Sequence, residues 1–315
     1  MTLPKLAASL LVLAALSGGV VGLTAWRIGA RTAAVQAAHP PTGQFVQVDG
    51  AQVHAIVAGS GPDVVLIHGA SGNARDMTLA LQDSLSQNFR VIAFDRPGLG
   101  WSDPIPDSSL RGQALHLSRA ADLLGVRAPV LVGQSYGGAV ALAWALHAAK
   151  PPKSLVLVSA PSLPWPGKLD PWYRLTDTAL GRALALPLAS AFVPQGVIDA
   201  SISGVFAPDP VPAGYDTAIG VMLVLRPVSL ATNTAHVNAL RAELVEMAPL
   251  YPRLTLPVEL LHGTADTIVP LAIHSGPLSR LLPDARLTTL SDAGHMPHYS
   301  QRPAVLAAIT RAALP

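Results

Sequence analysis

The sequence predicts an α/β fold, a mostly parallel sheet wound on both faces by helices. Three observations carry that prediction. Short apolar runs alternate with helix-length segments along most of the chain. The runs are apolar at nearly every position, as strands buried on both faces require. A glycine-flanked serine stands where one run gives way to a helix-forming segment.

Taken in order, the elements begin with an apolar segment. Residues 6–26 carry no charge, with Lys5 before them and Arg27 and Arg31 after. As a helix they would reach about 30 Å, the thickness of a bilayer core. Residues 1–28 are therefore read as a membrane anchor, and membrane association is expected through residues 6–26. The rival is a cleaved signal peptide, with small Ala15 and Ser17 where a peptidase cuts. Anchored and secreted or periplasmic locations both stay open, and the basic flanks are too evenly matched to orient the segment. Residues 29–44, ending in His39-Pro40-Pro41-Thr42-Gly43, read as a linker.

Residues 44–57 alternate around Asp49-Gly50, a hairpin signature. Buried strands are expected at 64–67, 91–94, 130–132, 155–158, 258–261 and 287–290, with helices at 110–124, 136–149, 271–282 and 303–313. Between Pro161 and about Leu250 the alternation breaks into prolines and short helical patterns. That stretch separates two strands. Residues 163–245 are therefore read as an inserted helical cap on a core of 45–162 and 246–315.

Composition excludes several classes. Half of the residues are hydrophobic and 13% charged, which suits a packed core and not a disordered chain. The net charge of +2 comes from 21 basic and 19 acidic residues with no basic cluster, so no nucleic-acid footprint is expected. There is no cysteine, hence no disulfide, thiolate metal site or cysteine nucleophile.

The chemistry concentrates at Gly133-Gln134-Ser135-Tyr136-Gly137-Gly138. A serine on a sharp strand-to-helix turn projects its hydroxyl, and the glycines remove β-carbons that would clash. Such a nucleophile needs a base, and the base an orienting carboxylate. Asp266 ends a strand-to-loop passage, and His295 follows 29 residues later after another strand. Both side chains would emerge at the carboxyl edge of the sheet, where ligands bind. Asp292, three residues before the histidine, is too near in sequence to reach behind its ring. His298 suggests a metal pair with His295 but lacks further ligands, so it is read as a supporting or surface residue. No metal and no cofactor are expected. The turn at His68-Gly69-Ala70-Ser71-Gly72 offers the N–H of Ala70, beside that of Tyr136, to a developing oxyanion. Asp95 to Ser102 reads as a tight turn after a strand, from which Trp101 can line a pocket.

At these motifs the chain resembles the α/β-hydrolase superfamily. His68-Gly69, Asp95 to Ser102, Gly133 to Gly138, Asp266 and Gly294-His295 match in type, order and spacing, over about residues 44–315. The resemblance implies an α/β-hydrolase fold: an eight-stranded, mostly parallel sheet with helices on both faces and a helical cap after the sixth strand. It also implies a Ser135, Asp266 and His295 triad. Serine at 135 argues against the dehalogenases and epoxide hydrolases, whose nucleophile is aspartate. The expected reaction is hydrolysis of a carboxylic ester through an acyl-enzyme. The expected substrate is apolar, because the cap carries few charges. Pocket candidates are Trp101, Trp165, Trp172, Phe192 and Phe206. C–C bond hydrolysis, acyl transfer, cofactor-free haloperoxidation and a non-catalytic, membrane-tethered binding role stay open as alternatives.

Overall fold

The computed structural model describes residues 3–314, with side chains from residue 15 onward. The strands are β1 (Gln44–Val48), β2 (Ala51–Ala58), β3 (Asp63–Ile67), β4 (Arg90–Phe94), β5 (Val130–Gln134), β6 (Ser154–Val158), β7 (Val258–Gly263) and β8 (Ala285–Leu290). The core helices are α1 (Leu3–Ala38), α2 (Ala74–Leu85), α3 (Leu110–Leu123) and α4 (Tyr136–His147). Between β6 and β7 lie α5 (Pro171–Thr176), α6 (Leu186–Phe192), α7 (Gln195–Phe206), α8 (Tyr215–Ile219) and α9 (Pro227–Met247). The chain finishes with α10 (Ser275–Leu281), α11 (Pro297–Ser300) and α12 (Arg302–Ala313).

The strands form one sheet in the order β1-β2-β4-β3-β5-β6-β7-β8. Only the β1–β2 and β2–β4 pairs are antiparallel. The β1–β2 turn has Asp49 at φ 51° and Gly50 at φ 84°, the two left-handed residues that a tight hairpin needs. In the central strands, alternate side chains feed opposite layers. Val65, Ile67, Ile92, Phe94 and Leu131 join one apolar cluster with α3 and α4. Val64, Leu66, Val91, Ala93, Val130 and Val132 join another with α2 and α12. Both faces are covered, which is why these strands read as unbroken apolar runs. β8 is different: it is an edge strand, as β1 is, and Leu290 is its one buried residue.

Two readings change. Helix α2 was not anticipated, although Asn73 caps it, accepting from Arg75 N at 3.0 Å, and Met77, Ala80, Leu81 and Leu85 form its buried stripe. The linker expected at 29–44 is helical as far as Ala38. Its alanine-rich sequence favours helix, and tertiary contacts fix it. Arg27 Nε donates to Ala191 O at 3.2 Å, and Arg31 donates to Val193 O at 3.4 Å. These carbonyls lie at the C-terminal end of α6, where cations are favoured.

The side chains of 6–14, the first part of the expected membrane segment, lie outside the described residues. Among the described residues, no single helix is long and apolar enough to cross a membrane.

Candidate active site

Strand β5 ends at Gln134 and α4 begins at Tyr136, so Ser135 alone makes the turn. Its backbone has φ 48° and ψ −127°, a conformation that costs a serine about 1–3 kcal/mol. The neighbourhood holds it there. Ser135 N donates to Val158 O at 2.9 Å, and Gly138 N donates to Ser135 O at 2.8 Å. A β-carbon on Gly133 would strike the backbone of Gly137 and Gly138, and one on Gly137 would strike the carbonyls of Ile67 and His68. The Ser135 side chain remains partly exposed.

The loops after β7 and β8 bring the other two groups to the same edge. His295 Nε2 is 2.9 Å from Ser135 Oγ, and His295 Nδ1 is 2.8 Å from Asp266 Oδ2. The carboxylate is anchored in turn. Its Oδ1 accepts from Ile268 N and Val269 N, each at 2.9 Å, and His262 Nε2 lies 3.3 Å from Oδ2. Burial pushes the Asp266 carboxyl up, but the hydrogen bonds from His262, His295 and Val269 outweigh it and hold it well below the usual range. Gln134 Nε2 steadies the histidine loop through His295 O at 3.3 Å, and Gly294 N donates to Asp209 Oδ2 at 2.8 Å. Asp292 is exposed and engages Thr264 through its backbone N–H.

The loop after β3 lies against the serine: a β-carbon on Gly69 would come 3.1 Å from Ser135 Cβ. Among the described residues, neither Ala70 N nor Tyr136 N has a protein acceptor, as an anion-binding pair requires. Ser71 N donates to Asn233 Oδ1 at 2.6 Å, and Asn233 Nδ2 donates to Ser71 Oγ at 2.9 Å, tying this loop to α9.

Arg96 is the residue that sequence reasoning missed. It reads as part of a turn motif, yet it is fully buried and has no carboxylate partner among the described residues. Its Nε donates to His68 O and its second terminal nitrogen to Gly69 O, both at 3.0 Å. Gln113 Oε1 accepts from it at 2.9 Å, and the guanidinium sits 4.3 Å from the centre of the Tyr136 ring. Burial lowers it only to about 10, so it stays charged at neutral pH. The same charge, after burial, holds His68 down at about 4 and His236 at about 3, keeping both rings neutral. Arg96 thus grips the two carbonyls immediately before Ala70. Arg96→Met removes that grip and leaves the buried His68 carbonyl unpaired at about 1–3 kcal/mol, while Gly69 O keeps His68 Nδ1 at 2.8 Å. We expect kcat to fall about 10²-fold through misplacement of the Ala70 N–H, with KM changed far less. An unchanged kcat in a folded variant would refute this positioning role. The signal for α9 was present too: Asn233 and His236 share a stripe with Leu230, Val237, Leu240 and Leu244.

The pocket candidates separate. Trp101 donates to His39 O at 3.1 Å and stacks with Arg226, bracing α1 against the core. Phe206 is buried in an aromatic joint with Tyr215 and Tyr299, and is structural. Phe192 is exposed at the outer seam with α1, beneath Arg27, and is no wall residue. Trp165 packs on the core and edge-on to His274. Trp172 is half-buried on α5. Its neighbour Tyr173, whose hydroxyl is pushed up by burial, sits beside Ser71 and Asn233. His298 is not a surface residue. It is fully buried, 3.6 Å from Asp76 Oδ2.

Comparison with known proteins places this arrangement. The model of the alpha/beta hydrolase family matches residues 64–309. An uncharacterised protein of Mycobacterium tuberculosis is 30% identical over 270 residues, covering 82% of this chain and 77% of the relative. A pimeloyl-[acyl-carrier protein] methyl ester esterase of Nitrosomonas europaea is 30% identical over 267 residues, covering 79% of this chain and 95% of that protein. Among solved structures, a thermophilic esterase of Thermogutta terrifontis superposes with a TM-score of 0.67 at 23% identity, covering 84% of this chain and 96% of its own. The match extends over most of the sheet and includes the turns bearing Ser135, Asp266 and His295, so the chain belongs to the alpha/beta hydrolase family.

Proposed function

We propose that the protein is a serine hydrolase that cleaves carboxylic esters through an acyl-enzyme. The observation that carries this reading is the unbroken line Ser135 Oγ, His295 and Asp266, at 2.9 and 2.8 Å, beside two unengaged amides. In the proposed reaction His295 Nε2 takes the hydroxyl proton as Ser135 Oγ attacks the ester carbonyl. Asp266 keeps Nδ1 protonated and stabilises the imidazolium. The N–H groups of Ala70 and Tyr136 receive the oxyanion. The imidazolium then protonates the leaving alcohol, and water repeats the sequence to release the acid. Esterase relatives support the substrate class. An activated serine reacts with a fluorophosphonate probe. Labelling that is abolished in Ser135→Ala, together with turnover of p-nitrophenyl esters, tests the reading. Absence of both would leave a non-catalytic binding protein.

The helices between β6 and β7 are proposed to act as a cap that sets acyl preference. Tyr173→Ala, beside the Ser71 and Asn233 contact, is expected to shift kcat/KM between short and long acyl esters by roughly 10–200-fold. Phe192→Ala, at the outer seam, leaves that profile unchanged. The reverse pattern across a p-nitrophenyl ester series would relocate the pocket. We also propose that residues 6–26 associate the protein with a membrane, on the strength of their uncharged length and basic flanks.

A further inference from the structure

Two apolar strips stand in solvent side by side, and the proposed chemistry uses neither. On α1, Leu16, Val20, Val21, Leu23 and Trp26 are each more than half exposed. On the insertion, Leu180, Leu184, Leu188 and Phe192 are all exposed. Leu184 lies in a π-helical turn, Gly181–Ala185, that runs directly into α6, and the four-residue spacing keeps the four side chains on the solvent side of this stretch. Contiguous apolar surface of this kind marks an interaction site in a folded protein.

The strips meet at a seam. The Arg27 guanidinium lies 5.0 Å from the centre of the Phe192 ring and donates to Ala191 O. Cations outnumber acids around the seam: Arg182 pairs with Asp177 at 3.8 Å and Asp199 lies in α7, while Arg27 and Arg31 have no carboxylate partner among the described residues. No acidic residue precedes Asp49, and none lies between Asp177 and Asp199. Lys5, Arg27, Arg31 and Arg182 are the cations of the two stretches. Gly181–Phe192 and Gln195–Phe206 together have the length and apolar composition of a membrane segment, but they bend by 99°. A pair so bent suits the interface of a bilayer, where an apolar face sinks and cations meet anionic headgroups.

We propose that the Leu180, Leu184, Leu188 and Phe192 face lies on an anionic phospholipid bilayer beside α1, as a second membrane contact. The proposal rests on the reading of residues 6–26 as membrane-associated and extends it to the insertion. A second copy of the chain could cover the same apolar strip, but two such basic faces would repel each other.

The chain has no cysteine, so Leu184→Cys accepts a single environment-sensitive NBD label. The full-length labelled protein is mixed with vesicles of phosphatidylcholine and phosphatidylglycerol, and its ester hydrolysis confirms that it is folded. Flotation tests the N-terminal reading; NBD emission tests the insertion face. The expected result is flotation with a blue-shifted, several-fold brighter emission that doxyl-labelled lipid quenches. A label at Leu123→Cys, exposed at the far end of α3, should remain water-like. Flotation with a water-like signal at 184 would overturn the proposal and leave the N-terminal reading standing. No flotation would overturn both. A blue shift without lipid quenching, accompanied by dimers in light scattering, would assign the face to a second copy and overturn it as well.

Discussion

Ser135→Ala is expected to lower kcat for ester hydrolysis by up to about 10⁶, leaving the small acceleration that the amides and binding provide. The size follows from how the group is used. Ser135 Oγ engages His295 Nε2 at 2.9 Å, and alanine has nothing to hand to that nitrogen. The fold should hardly change. Alanine meets the same backbone cost as serine at φ 48°, and Ser135 N–H keeps its bond to Val158 O. Kinetics with a p-nitrophenyl ester, alongside a circular-dichroism melt, separate chemistry from folding. Wild-type turnover in a folded Ser135→Ala protein would remove the nucleophile assignment.

Asp266→Asn should cost about 10⁴ in kcat. The change is nearly isosteric, so the loss lies in proton placement. Asp266 Oδ2 accepts the Nδ1–H of His295 at 2.8 Å, which leaves Nε2 bare to receive the serine proton. An amide nitrogen in that place stabilises the opposite tautomer, with Nε2 already protonated. Acid titration gives a companion check. A carboxyl held below its unfolded value contributes stability that is complete above about pH 4 and is lost only as pH falls towards the folded value. Assays between pH 6 and 8 therefore compare an aspartate that stays ionised throughout with asparagine. Asp292→Asn, at an exposed position bound only to Thr264 through its backbone, should stay near wild type. If it proves the more damaging change, the carboxylate has been misassigned.

The proposed catalytic line was legible because each of its residues lies in the turn or loop that follows a strand. A strand followed by Gly-x-Ser-x-Gly has little freedom, and Asp266 and His295 both follow apolar runs whose direction the parallel sheet dictates. Helix 29–38 was hidden by the prolines that follow it, since what stabilises it is a distant contact, Arg31 with Val193. The wall of the pocket was illegible for a related reason. Aromatic residues of a helical insertion look alike in sequence, whether they face solvent as Phe192 does or an internal joint as Phe206 does. Arg96 was hidden by its motif: a turn explains Gly98 and Gly100 well enough that the buried cation beside them drew no notice.

The edge position of β8 has a consequence for how the protein fails. Opening free energies vary across a fold, and a sparsely buried edge strand belongs to its softer end. β8 pairs with β7 alone and buries little but Leu290, yet the loop that follows it carries His295. Fraying there separates base from nucleophile while β3, β4, β5 and β6, packed on both faces, remain intact. In a urea series, ester hydrolysis should vanish at lower concentration than the helical dichroism of the whole protein, and amides of β8 should exchange with solvent before those of β5.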